Sequence, residues 1–242
     1  WCFTANLEIN HSNAHQIMKN TVIGVLLFGL LIHLSACTSN PSDLDKDNAK
    51  GAYEQARAVG DFQAASMWCY QLIYLEPDER PWKDSLLNLL FIRRVWPVCE
   101  TLGEDLLSLN EADTRVLGIL GNAEKAQGKS AEAIAHFETL VQHSDLPIYR
   151  YELASLQYEL ERRKECKKNL ELLLTNPATT NGKIELRYGT KRQTVSLKAA
   201  GLNLLGIVEK DYGQPDLAKG LFEQALAIEP DFDLAKGNLD AL

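Results

Sequence analysis

The chain has little of what usually carries chemistry. None of its five cysteines forms a Cys-x-x-Cys pair and no Cys/His group stands at ligand spacing, so nothing reads as a structural zinc or redox centre. GxSxG, the phosphate-binding P-loop and HExxH do not occur. Three of the five histidines, His11, His15 and His33, fall before residue 37. His136 and His143 remain, and with no third ligand near them they are expected on the surface rather than around a metal. Carboxylates are scattered along helical stretches with no pocket to pair them. The expectation is no enzyme and no cofactor. Basic charge is also scarce: 25 Lys+Arg against 33 Asp+Glu leave a net charge of −8, which speaks against general nucleic-acid binding. Nor does the apolar stretch Val22–Ile32 reach the roughly 20 residues that a membrane span needs.

That short stretch has its own pattern. Met18, Lys19 and Asn20 precede it, and Leu34-Ser35-Ala36-Cys37 closes it. A basic start, an apolar run and small residues at a cut site describe a secretory signal peptide. A cysteine directly after Leu-Ser-Ala resembles the lipobox of bacterial lipoproteins, whose cysteine sulfur receives a diacylglyceryl group and becomes the new N-terminus. The resemblance implies a signal peptide over 18–36, lipidation of Cys37 and a polar tether over 37–46. Acyl chains would then hold the protein on a membrane, at about 0.8 kcal/mol per buried methylene. Thr38, where an aspartate would retain a lipoprotein in the inner membrane of enteric bacteria, implies the outer membrane facing the periplasm. Residues 1–17, ahead of a plausible initiator at Met18, are set aside as an upstream extension.

Downstream, the sequence repeats. Gly60-Asp61-Phe62 and Gly128-Lys129-Ser130 each divide a helical stretch from an Ala-rich amphipathic one, 68 residues apart. Near the C-terminus, Leu202-Asn203-Leu204-Leu205-Gly206, Tyr212-Gly213, Ala218, Phe222, Ala225 and Pro230 follow in order. These positions resemble the tetratricopeptide repeat (TPR), a helix pair of 34 residues. The resemblance implies an all-α superhelical solenoid of about five helix pairs over residues 47–242. Repeats are expected near Asp47–Asp78, Pro81–Ala112, Thr114–Asp145, Pro147–Pro177 (with a one-residue register slip) and Lys198–Pro230. Gly206 would let the first helix of its pair approach the second, Phe222 would fill the space between repeats, and Leu234, Leu239 and Leu242 would cap the end. Cys69, Cys99 and Cys166 fall on inward positions, as small hydrophobes.

One segment departs from helical patterning. Between Thr179 and Ser196, Asn181-Gly182 and Gly189 signal turns, Ile184, Leu186 and Tyr188 alternate, and Thr194-Val195-Ser196 favours strand, so a β-hairpin is expected between repeats four and five. Basic residues crowd the same region: Arg162, Arg163, Lys164, Lys167, Lys168, Lys183, Arg187, Lys191, Arg192 and Lys198. They read either as a solvated face or as a surface for an anionic partner.

In TPR arrays the first helix of each pair lines a concave groove. Carried onto this chain, the family's groove positions are Asn88, Phe91, Arg115, Asn122, Lys125, Tyr151, Ser155, Tyr158, Asn203, Ile207 and Lys210. The lysine–asparagine clamp by which some relatives grip a C-terminal carboxylate is not reproduced. The resemblance implies a scaffold that recruits a protein or peptide, anchored to the membrane through Cys37 and serving envelope assembly. The alternative is a module that binds cell wall or anionic glycan through the basic hairpin region.

Overall fold

The computed structural model describes residues 43–242, so Cys37 and the segment before it lie outside the described residues. In order, the elements are α1 (Asp43–Ala58), α2 (Phe62–Leu75), α3 (Arg80–Ile92), α4 (Trp96–Leu109), α5 (Thr114–Ala126), α6 (Ser130–His143), α7 (Pro147–Glu159) and α8 (Arg163–Thr175). A 3-10 turn (Pro177–Thr180), β1 (Lys183–Tyr188), β2 (Lys191–Ser196), α9 (Leu197–Asp211), α10 (Pro215–Ile228) and α11 (Asp233–Asp240) complete the chain. It divides into two compact units, Trp1–Ala52 and Tyr53–Leu242. Only the opening of α1 is described in the first unit; all that follows concerns the second. Among the described residues, no helix is long and apolar enough to cross a membrane.

Each helix from α2 onward packs on its neighbour in sequence, and α3 also touches α5, as α7 touches α9. Contact between alternate helices brings the first helices of successive pairs together on one side of the array. This is the expected all-α TPR solenoid, and its punctuation is a turn built five times over. At Gly60, Arg94, Gly128, Glu161 and Gly213 the backbone turns to φ +74°, +58°, +75°, +60° and +71°. At each, the residue's N–H bonds the carbonyl three residues back and the next N–H bonds the carbonyl five back, as in Gly60→Arg57 (3.0 Å) and Asp61→Ala56 (2.9 Å). This Schellman arrangement satisfies carbonyls that the helix end orphans. Only glycine adopts that φ freely, and in repeats two and four Arg94 and Glu161 occupy it instead. The turns lie 34, 34, 33 and 52 residues apart; the third interval carries the one-residue slip, and the last exceeds a repeat by 18 residues, the length of Thr179–Ser196.

Within each pair, bulk at one position is matched by lack of it at another. Seven residues before the turn stand Tyr53, Leu87, Gly121, Ala154 and Gly206; nine after it stand Cys69, Gly103, Phe137, Leu170 and Phe222. All are buried. Where the first helix carries glycine the second carries phenylalanine, and where the first is large the second is small, as close packing demands. A Cβ on Gly121 would lie 2.9 Å from the Phe137 ring, and one on Gly206 2.5 Å from that of Phe222. Gly206 therefore makes room for a ring on its partner helix.

The hairpin forms where the sequence placed it. β1 pairs antiparallel with β2, and Tyr188 faces Lys191 across a two-residue connection, Gly189-Thr190. Gly189 takes φ +58° and Thr190 keeps a negative φ, a type II′ arrangement that suits the strands' twist. Ile184 and Val195, opposite each other, are buried in one apolar cluster with Tyr151, Leu170, Leu197 and Ala200. Tyr188 Oη donates to Asp233 (2.7 Å), and the Ser196 N–H donates to Glu229 (2.9 Å). These bonds tie the hairpin to the last repeat and its cap. In that cap the sequence reading missed the main anchors: Phe232 and Ala235 are fully buried, whereas Leu242 is 44 % exposed.

Candidate functional site

The first-helix face splits into an open stretch and a filled one. The open stretch is a hollow of about 340 Å³ lined by Asn88 and Phe91 of α3, Arg115, Gly118 and Asn122 of α5, and Tyr149 of α7. Four residues expected from the groove positions meet there. Asn88 is exposed. Asn122 donates one amide N–H to the Gly118 carbonyl (2.7 Å), which anchors the side chain in the lining of the hollow. The Phe91 ring stands edge-on to Trp96 with centroids 5.6 Å apart, which fixes it as a rigid wall. Gly118 leaves the floor low under the Tyr149 hydroxyl.

Charge braces this stretch. Arg80 pairs with Asp84 (3.4 Å) and Asp113, and Arg115 with Asp84. Asp113 also caps α5, accepting from the N–H groups of Arg115 and Val116 at 3.1 Å each. The two arginines thus knit α3 to the start of α5. Arg115 Nη1 is buried with no hydrogen-bond partner, an unspent donor beside the hollow.

The other expected groove residues are occupied by the chain itself. Tyr151 is 7 % exposed within the hairpin's apolar cluster, and burial raises its pKa. Asn203 is 5 % exposed and accepts a hydrogen bond from Asn238 of α11 (2.8 Å). Lys210 donates to the Ala241 carbonyl (2.9 Å), Tyr158 to Asp211 (3.0 Å), and Lys125 pairs with Glu152. Ser155 and Lys125 line a second hollow, of about 330 Å³, between α5, α7 and β1. Ile207 is partly buried against the same cluster as Tyr151. The hairpin and α11 fold back over repeats four and five, a tertiary event that position within a repeat does not encode.

The basic run is partnered in the same way. Arg162 pairs with Glu138 (2.8 Å) and Glu165 (3.3 Å), Arg163 with Asp211 (3.1 Å), and Lys167 with Glu209 (2.7 Å). Lys191 reaches Asp233 (3.4 Å), while Arg187 and Arg192 share Glu185 at 3.6 Å each. Lys168 stands exposed on α8. Partners distant in sequence neutralise much of a charge that looked bare along it.

His136 corrects the sequence reading most sharply. It lies half-buried between repeats two and three, with Nδ1 2.7 Å from Glu124 Oε2 and Nε2 3.4 Å from Glu104 Oε1. Glu124 is itself buried. The hydrogen bond to Glu124 raises the imidazole pKa; burial opposes this, and Glu104 and Glu100 add to it. The three ligand-bearing groups lie within 4.8 Å of one another, yet each imidazole nitrogen already faces a carboxylate, the pattern of an imidazolium clamp. Three helices supply the groups, so no local motif announces them. His143 is exposed, as expected. Cys69, Cys99 and Cys166 are free and buried, and burial pushes their thiols up to about 11, 11 and 12, far from the thiolate a nucleophile needs.

No family profile and no curated protein matches the chain. Solved structures do. MamA superposes with TM-score 0.62 at 13 % identity, covering 76 % of this chain and 92 % of that one. MamA from Desulfovibrio magneticus RS-1 gives 0.62 at 10 %, covering 78 % and 97 %. YrrB, a TPR protein with an unusual peptide-binding site, gives 0.62 at 11 %, covering 76 % and 87 %. Identities this low speak for the fold alone, and the fold is that of TPR proteins.

Proposed function

We propose that this TPR-type solenoid is a membrane-anchored periplasmic scaffold that captures an extended segment of a partner protein in the hollow between α3, α5 and α7. The observation that carries the reading is that hollow: the one stretch of the described first-helix face where several expected groove residues converge without being covered by the hairpin or α11. Asparagine amides suit backbone recognition, because each offers both a donor and an acceptor to a peptide unit. Phe91 and Tyr149 supply contact area that loses little conformational freedom on binding. The likeness to a peptide-binding TPR protein supports the same reading. Anchoring rests on the lipobox-like Leu34–Cys37, and a role in envelope assembly follows from it. Ion pairing of Arg162, Arg163 and Lys167 breaks up the continuous basic surface from α8 to the hairpin that an anionic-glycan module would use.

Display selection of random dodecapeptides against the protein tests capture. Enriched peptides should bind the wild type and lose at least tenfold affinity to Asn88→Ala/Asn122→Ala. Absence of enrichment, or affinity indifferent to both substitutions, would sink the reading. Anchoring is tested separately: Cys37→Ser should leave the membrane fraction or accumulate uncleaved. Retention of a cleaved form of that variant after high-salt and carbonate washes would refute lipidation.

A further inference from the structure

The outer edge of β1 is unpaired, and it looks into the first-helix face. In an antiparallel ladder, alternate residues turn their N–H and C=O groups toward the partner strand and the others turn them away. The two-residue connection makes Tyr188–Lys191 the closing bonded pair, so Leu186–Gln193 and Ile184–Val195 are the next ones. The Leu197 N–H bonds the Gly182 carbonyl at 2.8 Å, which continues the same alternation and confirms its phase. Lys183, Glu185 and Arg187 therefore aim their backbone groups away from β2. The sheet has two strands only, and no backbone bond from outside the hairpin reaches these three among the described residues. Beside this edge lies the hollow of about 330 Å³ whose far wall is Lys125 of α5, paired with Glu152, together with Tyr151 and Ser155 of α7. Exposed edges of this kind are templates for another strand.

We infer that β1 receives an acidic, extended peptide as a third strand, so that the partner is held by main-chain bonds at the hairpin as well as by the asparagine-lined hollow. This rests on the peptide-capture reading and specifies its geometry. Charge selects the occupant: Lys183, Arg187, Lys191 and Arg192 of the hairpin outnumber the two carboxylates they meet, Glu185 and Asp233, so the edge keeps a positive excess after its ion pairs form. Lys183, Glu185 and Arg187 share the exposed face of β1, whereas Ile184, Leu186 and Tyr188 point to the covered one. An added strand with acidic residues on its exposed face would stand beside Lys183 and Arg187, and apolar residues on its other face would follow Ile184 and Leu186 inward. Both hollows draw walls from α5 and α7, so one chain can use both. Main-chain bonds would supply affinity that tolerates variation in side chains.

The probe is a fluorescein-labelled decapeptide of alternating glutamate and valine, with an alternating lysine–valine peptide as control, titrated against the full protein. The acidic peptide should bind at least tenfold tighter than the basic one. Glu185→Pro removes an outward N–H at a position where an edge strand tolerates proline. It should weaken binding at least tenfold, while Glu185→Ala changes it less than threefold. Because proline can distort the hairpin, a second measurement leaves the protein intact. N-methylating alternate residues of the peptide should abolish binding for one set and spare it for the other, the period-two signature of a strand. Equal binding by Glu185→Pro and Glu185→Ala, or equal tolerance of both methylated sets, overturns the inference. Failure of both decapeptides to bind overturns it as well; if display-selected peptides still depend on Asn88 and Asn122, the capture reading survives alone.

Discussion

At the scale of single residues, two features of the repeat junctions make quantitative demands. Arg94 and Glu161 hold a left-handed conformation that costs a side-chain-bearing residue about 1–2 kcal/mol. Arg94→Gly should relieve it, and part of the gain is returned because glycine frees the unfolded chain by about 0.4–1 kcal/mol. Chemical denaturation should therefore show Arg94→Gly up to about 1 kcal/mol more stable and Gly128→Arg less stable than wild type. A destabilised Arg94→Gly would mean that the arginine makes contacts worth more than the strain. His136 makes a pH-dependent demand. Its folded pKa lies above the ordinary value of 6.5, so the clamp is at full strength below about 6.5 and fades as pH rises through the folded value. Urea unfolding should place His136→Gln about 1.5–3 kcal/mol below wild type at pH 6, the range for hydrogen bonds to charged groups, with the gap narrowing toward pH 9. A gap that is constant or widens contradicts the clamp. The turn glycines were legible because their φ leaves a composition signature. His136 was not, because Glu104, Glu124 and His136 sit on three helices, and only their packing brings the charges together.

At the scale of elements, the sequence revealed helices and hairpin through period and turn chemistry, and it hid what they cover. Ile184, Leu186 and Tyr188 alternate as a strand must, yet nothing in the alternation says that β1 lies beside α7 rather than over solvent. Tyr151, Asn203 and Lys210 were placed by their positions in the repeat, which know nothing of an insertion that fills the space before them. In the cap, Phe232 precedes α11 as its N-cap residue and so escaped a reading that looked for a leucine stripe. The fifth repeat is the best test of packing at this scale. Phe222 is fully buried, and the bare Gly206 makes the room for its ring. Phe222→Ala should cost about 3–5 kcal/mol. Because solenoid stability is close to a sum of repeats and their interfaces, hydrogen exchange should rise first in α9–α11. Uniform loosening from α2 to α11 would instead mean that the array unfolds as a single cooperative block.

At the scale of the whole molecule, the described solenoid spends half of its inner face on itself. The hairpin and α11 cover repeats four and five and leave the face of α3, α5 and the start of α7 to others. The fold class followed from repeats that resemble a known family, and solved TPR structures superpose on it. The division between open and occupied groove is a property of the folded chain alone. Capture of a partner at the open stretch is the central claim. Amide chemical-shift mapping of the protein titrated with a display-selected peptide tests it most directly. Shifts should concentrate at Asn88, Phe91, Arg115, Asn122 and Tyr149, on α3, α5 and α7, with little change along α4, α6 and α8. Shifts confined to the outer faces of α4, α6 and α8, with α3 and α5 unmoved, would contradict it.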